Sequence, residues 1–324
     1  LDTTPKLTGL EPAWASIKGG TSMVVVGKNL KKDFKIEIKT LLPWLVAATD
    51  VAEVATGLSF TMPPAPTGVV VWPPKISSVV VTPPGAPAMT LEDVLHFVPT
   101  HTPTMDGKVA VEEWTMGTWM GINKATQVVD PWKGNTVGQI FAAYDKDYLY
   151  IGVEANCEAL NAIVVYVDVD YGAKTGAAAP VDLKDNGNAD NSVDDALSSA
   201  LEVVPGGFGI DFGFATVGMK SFLGKTLADS KEAGWRGMKD VANFGWLLGE
   251  VLAQSGSGVE ASIPLATLFP NGVPEKGTQV AFFAAIVNKD GSQVAPGAIS
   301  PNLTDVDYGK VAKEFGIFHI FPLK

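Results

Sequence analysis

QIFAAYDKDYLYIGVEANCEALNAIVVYVDVDY, residues 139–171, carries two apolar stretches rich in aromatic and β-branched residues. The first stretch joins Gln139–Tyr144 to Leu149–Val153 through the polar turn Asp145-Lys146-Asp147, and the second is Ala162–Val169. Side chains branched at Cβ or carrying flat rings pack well on a pleated surface, so both stretches read as strands. Two strands of similar length about a short polar turn make a hairpin, which feeds a third, more apolar strand. This is sheet core and carries no catalytic pattern.

The rest of the chain extends that reading. It has 324 residues, enough for two or three domains, and 46% of them are hydrophobic, enough for a sizeable core. The 34 glycines and 22 prolines are spread along the whole length, and few segments hold a 3.6-residue period, so many short strands joined by turns are expected. The expected class is all-β. A net charge of −11 with no basic cluster argues against nucleic acid, whose phosphates are bound by positive charge. The single cysteine, Cys157, rules out an intrachain disulfide and a CxxC metal site. No 18-residue apolar run suggests a transmembrane segment, and the start at Leu1 is compatible with a processed, secreted chain.

Near the amino terminus, a strand ends at Pro12, Gly19-Gly20-Thr21 turns the chain, Ser22–Val26 alternates as a strand, and Gly27-Lys28-Asn29-Leu30 ends it. Together these features resemble the opening of an IPT/TIG domain, an immunoglobulin-like sandwich that serves as a spacer or interaction module. Thr56–Met62, Gly68–Trp72, Ile76–Thr82 and Leu91–Val98 are expected to supply further strands, bounded by paired prolines. Leu41–Ala55 reads as an insertion in that pattern. Trp14, Trp44 and Trp72 are assigned to packing.

Pro99-Thr100-His101-Thr102-Pro103-Thr104 offers no apolar face and reads as a linker at Thr100–Thr104. The expected domains are therefore 1–99 and 105–324. After the linker come Asp106-Gly107-Lys108, Glu113-Trp114 leading into a strand, and Asp145-Lys146-Asp147-Tyr148-Leu149-Tyr150. These resemble the CBM9-like/DOMON-like superfamily, with Val259–Pro264, Val280–Asn288 and Phe315–Phe321 as later strands. The resemblance implies a larger, jelly-roll-like β-sandwich that binds a ligand such as a sugar, and structural calcium in several members.

The densest run of oxygen donors is Asp182, Asp185, Asn186, Asn188, Asp190 and Asp194, around Gly187. Short Asx side chains on a tight loop suit a hard cation, and Ca²⁺ is the natural one; the spacing is not that of an EF-hand. A solvated Asn/Asp/Gly loop is the alternative. Tyr166, Asp168 and Asp170 alternate with Val165, Val167 and Val169, which reads as a strand end whose carboxylates anchor the following loop or its cation. The three histidines, His96, His101 and His319, are too scattered for a Ser/His/Asp site. Met105, Met116, Met120, Met219 and Met238 read as core filler, and Trp114 as core.

Sugar recognition needs exposed flat rings and nearby hydrogen-bonding groups. Trp132 in a turn-rich region and Trp235 with Arg236 in a loop-like Gly234–Gly237 setting are the ring and polar candidates, with buried packing as the alternative. The chain is thus expected to be a secreted or cell-surface, non-catalytic binding protein for a polysaccharide or cell-surface glycan. The alternative is a self-associating structural subunit of a surface layer, fibre or adhesive assembly.

Overall fold

Short strands broken by proline and glycine leave each sheet one apolar face, and two sheets must meet to bury it. The computed structural model of the chain describes all residues except 1, 41–44, 66–75, 106–108, 126–131, 133, 159–160, 174, 184–192, 205, 218–233, 238–251, 256–257, 304–308 and 324. The chain divides into two compact units, Leu1–His101 and Thr102–Lys324.

The first unit runs through β1 (Lys6–Glu11), β2 (Trp14–Ser16), β3 (Ser22–Lys28), β4 (Lys35–Lys39) and β5 (Leu45–Ala47). It continues with β6 (Thr49–Val54), β7 (Gly57–Thr61), β8 (Ile76–Thr82) and β9 (Met89–Val98). One sheet has the order β1-β3-β7-β6 and the other β2-β9-β8-β4-β5, with β2 parallel to β9. This is the A-B-E-D sheet opposed to a C-F-G sheet that defines an immunoglobulin-like sandwich, extended by one strand at each edge. Alternation does the sorting: Met23 and Val25 on β3, Ile36 and Ile38 on β4, Leu58 and Phe60 on β7, and Val79 and Val81 on β8 are all buried. Leu41–Ala55, read above as an insertion, instead supplies β5 and β6. The Gly68–Trp72 strand and the tryptophans Trp44 and Trp72 lie outside the described residues.

The second unit opens with a helix where a strand is expected. The Glu113-Trp114 stretch does not lead directly into a strand but forms α1 (Val111–Thr118), with Glu112 and Glu113 in its first turn, where the helix dipole favours carboxylates. Burial of Trp114 overrides any extended preference: its ring is 0% exposed and packs with Phe141, Ala143 and Tyr150. Its Nε1–H donates to Glu260 Oε1 at 2.9 Å, a partner that the buried carboxylate requires.

Then follow β10 (Trp119–Ile122), β11 (Thr136–Tyr144), β12 (Tyr148–Asn156), β13 (Asn161–Asp168), α2 (Val193–Leu197) and β14 (Glu202–Val203). β15 (Phe212–Val217), β16 (Gly234–Gly237), β17 (Leu252–Ser255), β18 (Gly258–Pro264) and α3 (Leu265–Leu268) come next. β19 (Thr278–Asn288), β20 (Val294–Ser300), β21 (Val311–Ala312) and β22 (Gly316–Ile320) complete the unit. The β11–β12 hairpin pairs Tyr144 with Leu149, and its turn is closed by Asp145, whose Oδ1 accepts the N–H groups of Asp147 and Tyr148 at 2.9 Å each.

The third strand of the opening stretch leaves that hairpin for another sheet. The hairpin belongs to β10-β11-β12-β18-β17, whereas β13 lies in β16-β15-β13-β19-β20, with β22 on the same edge of β19 as β20. The two sheets meet around Gly316, where Met120, Ile140 and Phe282 leave no room for a side chain.

β19 is buried along Val280–Val287 on both faces. A second layer explains this: Tyr166, Phe283, Ala285 and Val287 pack under Leu197, Leu201, Phe208, Ile210 and Phe315. Each such side chain contributes about 1.5–3 kcal/mol on burial. The Tyr166 hydroxyl bonds to Leu197 O at 2.8 Å and Ser199 Oγ at 3.0 Å, so the ring is buried without orphaning its polar end. The layer over this face therefore brings residues 197–211 to the end of β13.

Candidate functional site: a carboxylate cluster beside a glycine-walled cavity

At the end of β13 the chain stops pairing as a sheet and its side chains take over the backbone's hydrogen bonds. Asp168, 1% exposed, accepts the N–H of Asp170 at 3.0 Å on Oδ1 and that of Gly209 at 2.8 Å on Oδ2. Asp211, 3% exposed and immediately before β15, accepts the N–H of Val169 at 3.0 Å. Asp170 lies beyond the strand in a turn, and its carboxylate accepts the Thr175 hydroxyl at 2.5 Å. That hydroxyl also stands 3.4 Å from Asp211 Oδ1.

Oxygen atoms of Asp168, Asp170 and Asp211 all lie within 4.8 Å of one another. Burial pushes the Asp168 carboxyl up to about 7, and the negative charges of Asp211 and Asp170 push the same way, against the pull of the Gly209 and Asp170 N–H groups. Three carboxylates this close repel one another, and a cation between them removes the repulsion. The donors are all hard oxygens, with no histidine or thiol, which fits an oxygen-liganded divalent ion and not zinc. The cluster can hold a metal ion.

Two residues that hydrogen-bond to the cluster, Thr175 and Gly209, also line an open cavity of about 540 Å³. Among the described residues that line it, five are glycines, Gly172, Gly176, Gly206, Gly207 and Gly209; the others are Thr175, Ala178 and Phe208. Thr175 and Gly209 thus belong to both features. Two of the glycines allow the strands to approach. A Cβ on Gly209 would stand 1.5 Å from the Thr175 carbonyl oxygen, and Gly176, at φ 78°, faces the Ile210 carbonyl oxygen at 2.6 Å from where its Cβ would be. Ala177 and Ile210 exchange N–H···O bonds of 2.9 and 2.8 Å across this contact.

Asp168 and Asp170, which the sequence makes anchors of the following loop or its cation, stand in this cluster; the described residues among the other candidates fall elsewhere. Asp182 is exposed on a short 3₁₀ turn, Pro180–Asp182, and Asp194 lies on α2. Asp185, Asn186, Asn188 and Asp190 lie outside the described residues. Trp132 is buried, 9% exposed, and presents no open stacking face. Trp235 and Arg236 stand on strand β16, paired with Phe214 and Gly213 of β15, and not in a loop; their side chains lie outside the described residues. His319 stacks on Phe321 with ring centroids 6.0 Å apart, and Cys157 is buried with its thiol 3.7 Å from Glu158 O. Asp211 was missed. Its signal was Gly206-Gly207-Phe208-Gly209-Ile210-Asp211, a glycine run closing on a carboxylate at a strand start, where close backbone approach is the usual reason for glycine.

No family model and no curated protein matches the chain. Among solved structures it is similar to the TIG domain of human nuclear factor of activated T-cells, cytoplasmic 4, at 22% identity over 31% of this chain and 91% of that one, with a TM-score of 0.26. It is similar to E. coli alpha-2-macroglobulin at 10% identity, TM-score 0.21, over 98% of this chain but 14% of that one. A third likeness, at 13% identity and TM-score 0.19, is to the surface glycan-binding protein PbSGBP-B from Prevotella bryantii, over 97% of this chain and 73% of that one.

Proposed function

We propose that the chain is a secreted or cell-surface, non-catalytic binding protein whose second unit binds carbohydrate with the help of Ca²⁺ held by Asp168, Asp170 and Asp211. The observation that carries this reading is the sharing of Thr175 and Gly209 between an all-oxygen cation cluster and a glycine-lined cavity. A hard cation draws the three carboxylates together and holds the two loops that wall the cavity. The resemblance of residues 105–324 to CBM9-like/DOMON-like sandwiches supports the same choice of ligand.

Asp168 supports a positioning role over an acid–base one. It is buried and both its oxygens serve main-chain N–H groups, whereas a glycosidase acid must reach the glycosidic oxygen. The test is a glycan array followed by calorimetry in Ca²⁺ and in chelator. Binding to at least one oligosaccharide in Ca²⁺, weakened by chelator, is expected; absence of binding to every glycan in Ca²⁺ ends the carbohydrate reading.

A further inference from the structure

We propose that the sugar sits in the glycine-walled cavity itself, and that the site takes a neutral polyhydroxylated unit held mainly by the main chain. This rests on the carbohydrate reading above and specifies where and which kind of sugar binds. A volume of about 540 Å³ lies within the range of small-molecule sites, about 300–1,000 Å³.

The pattern of glycines is the main reason. Gly209 and Gly176 are required by the close approach of the two chains, and Gly172 and Gly207 by φ of 93° and 98°. Gly206 is required by neither: its φ lies outside the left-handed region, and a Cβ there would meet only the Val204 carbonyl oxygen, at 3.8 Å. Among the described residues neither backbone nor packing accounts for the missing side chain, but an occupant of the cavity does.

The wall's chemistry selects the occupant. Bare peptide groups can offer both N–H donors and C=O acceptors, and sugar hydroxyls are both donors and acceptors, so the two match without a charged side chain. None of the described lining residues is charged. Thr175 adds a hydroxyl, and Phe208, stacked on Phe315 at 4.5 Å, holds that part of the wall in place. A chain charge of −11 works against an anionic sugar.

The test uses the full chain in Ca²⁺, with calorimetry and saturation-transfer NMR on maltotriose, cellotriose and xylotriose, and on glucosamine and glucuronate as charged controls. Gly206→Leu and Ala178→Trp block separate, exposed parts of the wall, and melting curves check that each variant folds. A neutral trisaccharide should bind the wild type, and each blocking variant should weaken it by about tenfold or more. Wild-type affinity in both folded blocking variants overturns the cavity assignment and leaves the carbohydrate reading standing. Preference for glucuronate or glucosamine overturns the neutral ligand. Absence of binding by the wild type to every sugar removes both readings.

Discussion

With both oxygens held by main-chain N–H groups and two carboxylates beside it, Asp168 couples pH, cation and fold at one atom pair. Its carboxyl titrates near 7 in the native state, above the ordinary carboxylate value, so between about pH 4 and 7 the folded chain holds a proton that the unfolded chain has released. Without a cation this contribution to stability is fully present below the unfolded value and is lost as pH rises through about 7. A cation displaces that proton, so its affinity should rise over the same window. Calorimetric melting at pH 5 and 8, in chelator and in Ca²⁺, should therefore show a stabilising effect of Ca²⁺ that is larger at pH 8. Asp168→Asn should flatten the metal-free pH dependence and shrink the Ca²⁺ effect. Equal Ca²⁺ effects in wild type and Asp168→Asn at pH 8 would falsify the assignment of this residue to the cation.

At the scale of elements, the site exists because two loops approach one another more closely than side chains permit. Gly209 sets that distance, since a methyl there would collide with the Thr175 carbonyl, whereas Gly206, three residues earlier, faces open space. Gly209→Ala is expected to destabilise the second unit by about 3 kcal/mol or more, the range reserved for forced backbone displacement. Gly206→Ala should change stability by less than about 0.5 kcal/mol, as at an ordinary surface position. Urea unfolding of the two variants decides this: similar midpoints would mean that the loops give way and the close approach is not a constraint. The edge strand β6 illustrates a second element-level effect. Its side chains are largely exposed, but Asp50 at φ 53° and the register shift between Thr49 and Ala52 interrupt it, which blunts the edge against pairing with another chain.

Over the whole chain, the two units have separate cores: Met23, Ile38, Phe60 and Val81 in one, and Tyr166, Phe283 and their neighbours in the other. Units of this size with their own core commonly fold alone. Fragments Leu1–His101 and Thr102–Lys324, expressed separately, should each melt cooperatively, and only the second should respond to Ca²⁺. The boundary segment is anchored locally: the Thr100 N–H donates to Val98 O at 2.8 Å and the Thr102 hydroxyl to Asp145 Oδ2 at 3.0 Å. A first fragment that stays unfolded on its own, by circular dichroism, would show that its core is insufficient without the second.

Local pattern was enough for the strands, because alternation and β-branched residues state which face is buried. The hairpin about Asp145, the buried faces of β3, β7 and β8, and the long apolar β19 all follow from it, as does the all-β class. The core place of Trp114 was also legible, although the helix that carries it was not, since burial of one large ring outweighed local preference. Partnership between distant segments was not legible. Nothing in Ile163–Asp168 says that β13 leaves its hairpin for the opposite sheet, and nothing in Asp211 alone says that it meets Asp168 across 43 positions of chain. Sequence therefore determined which residues are buried in strands. Only the tertiary structure decided that three aspartates converge beside a glycine wall, because convergence depends on sheet order and on a second layer packed over β13 and β19, neither of which has a local signature.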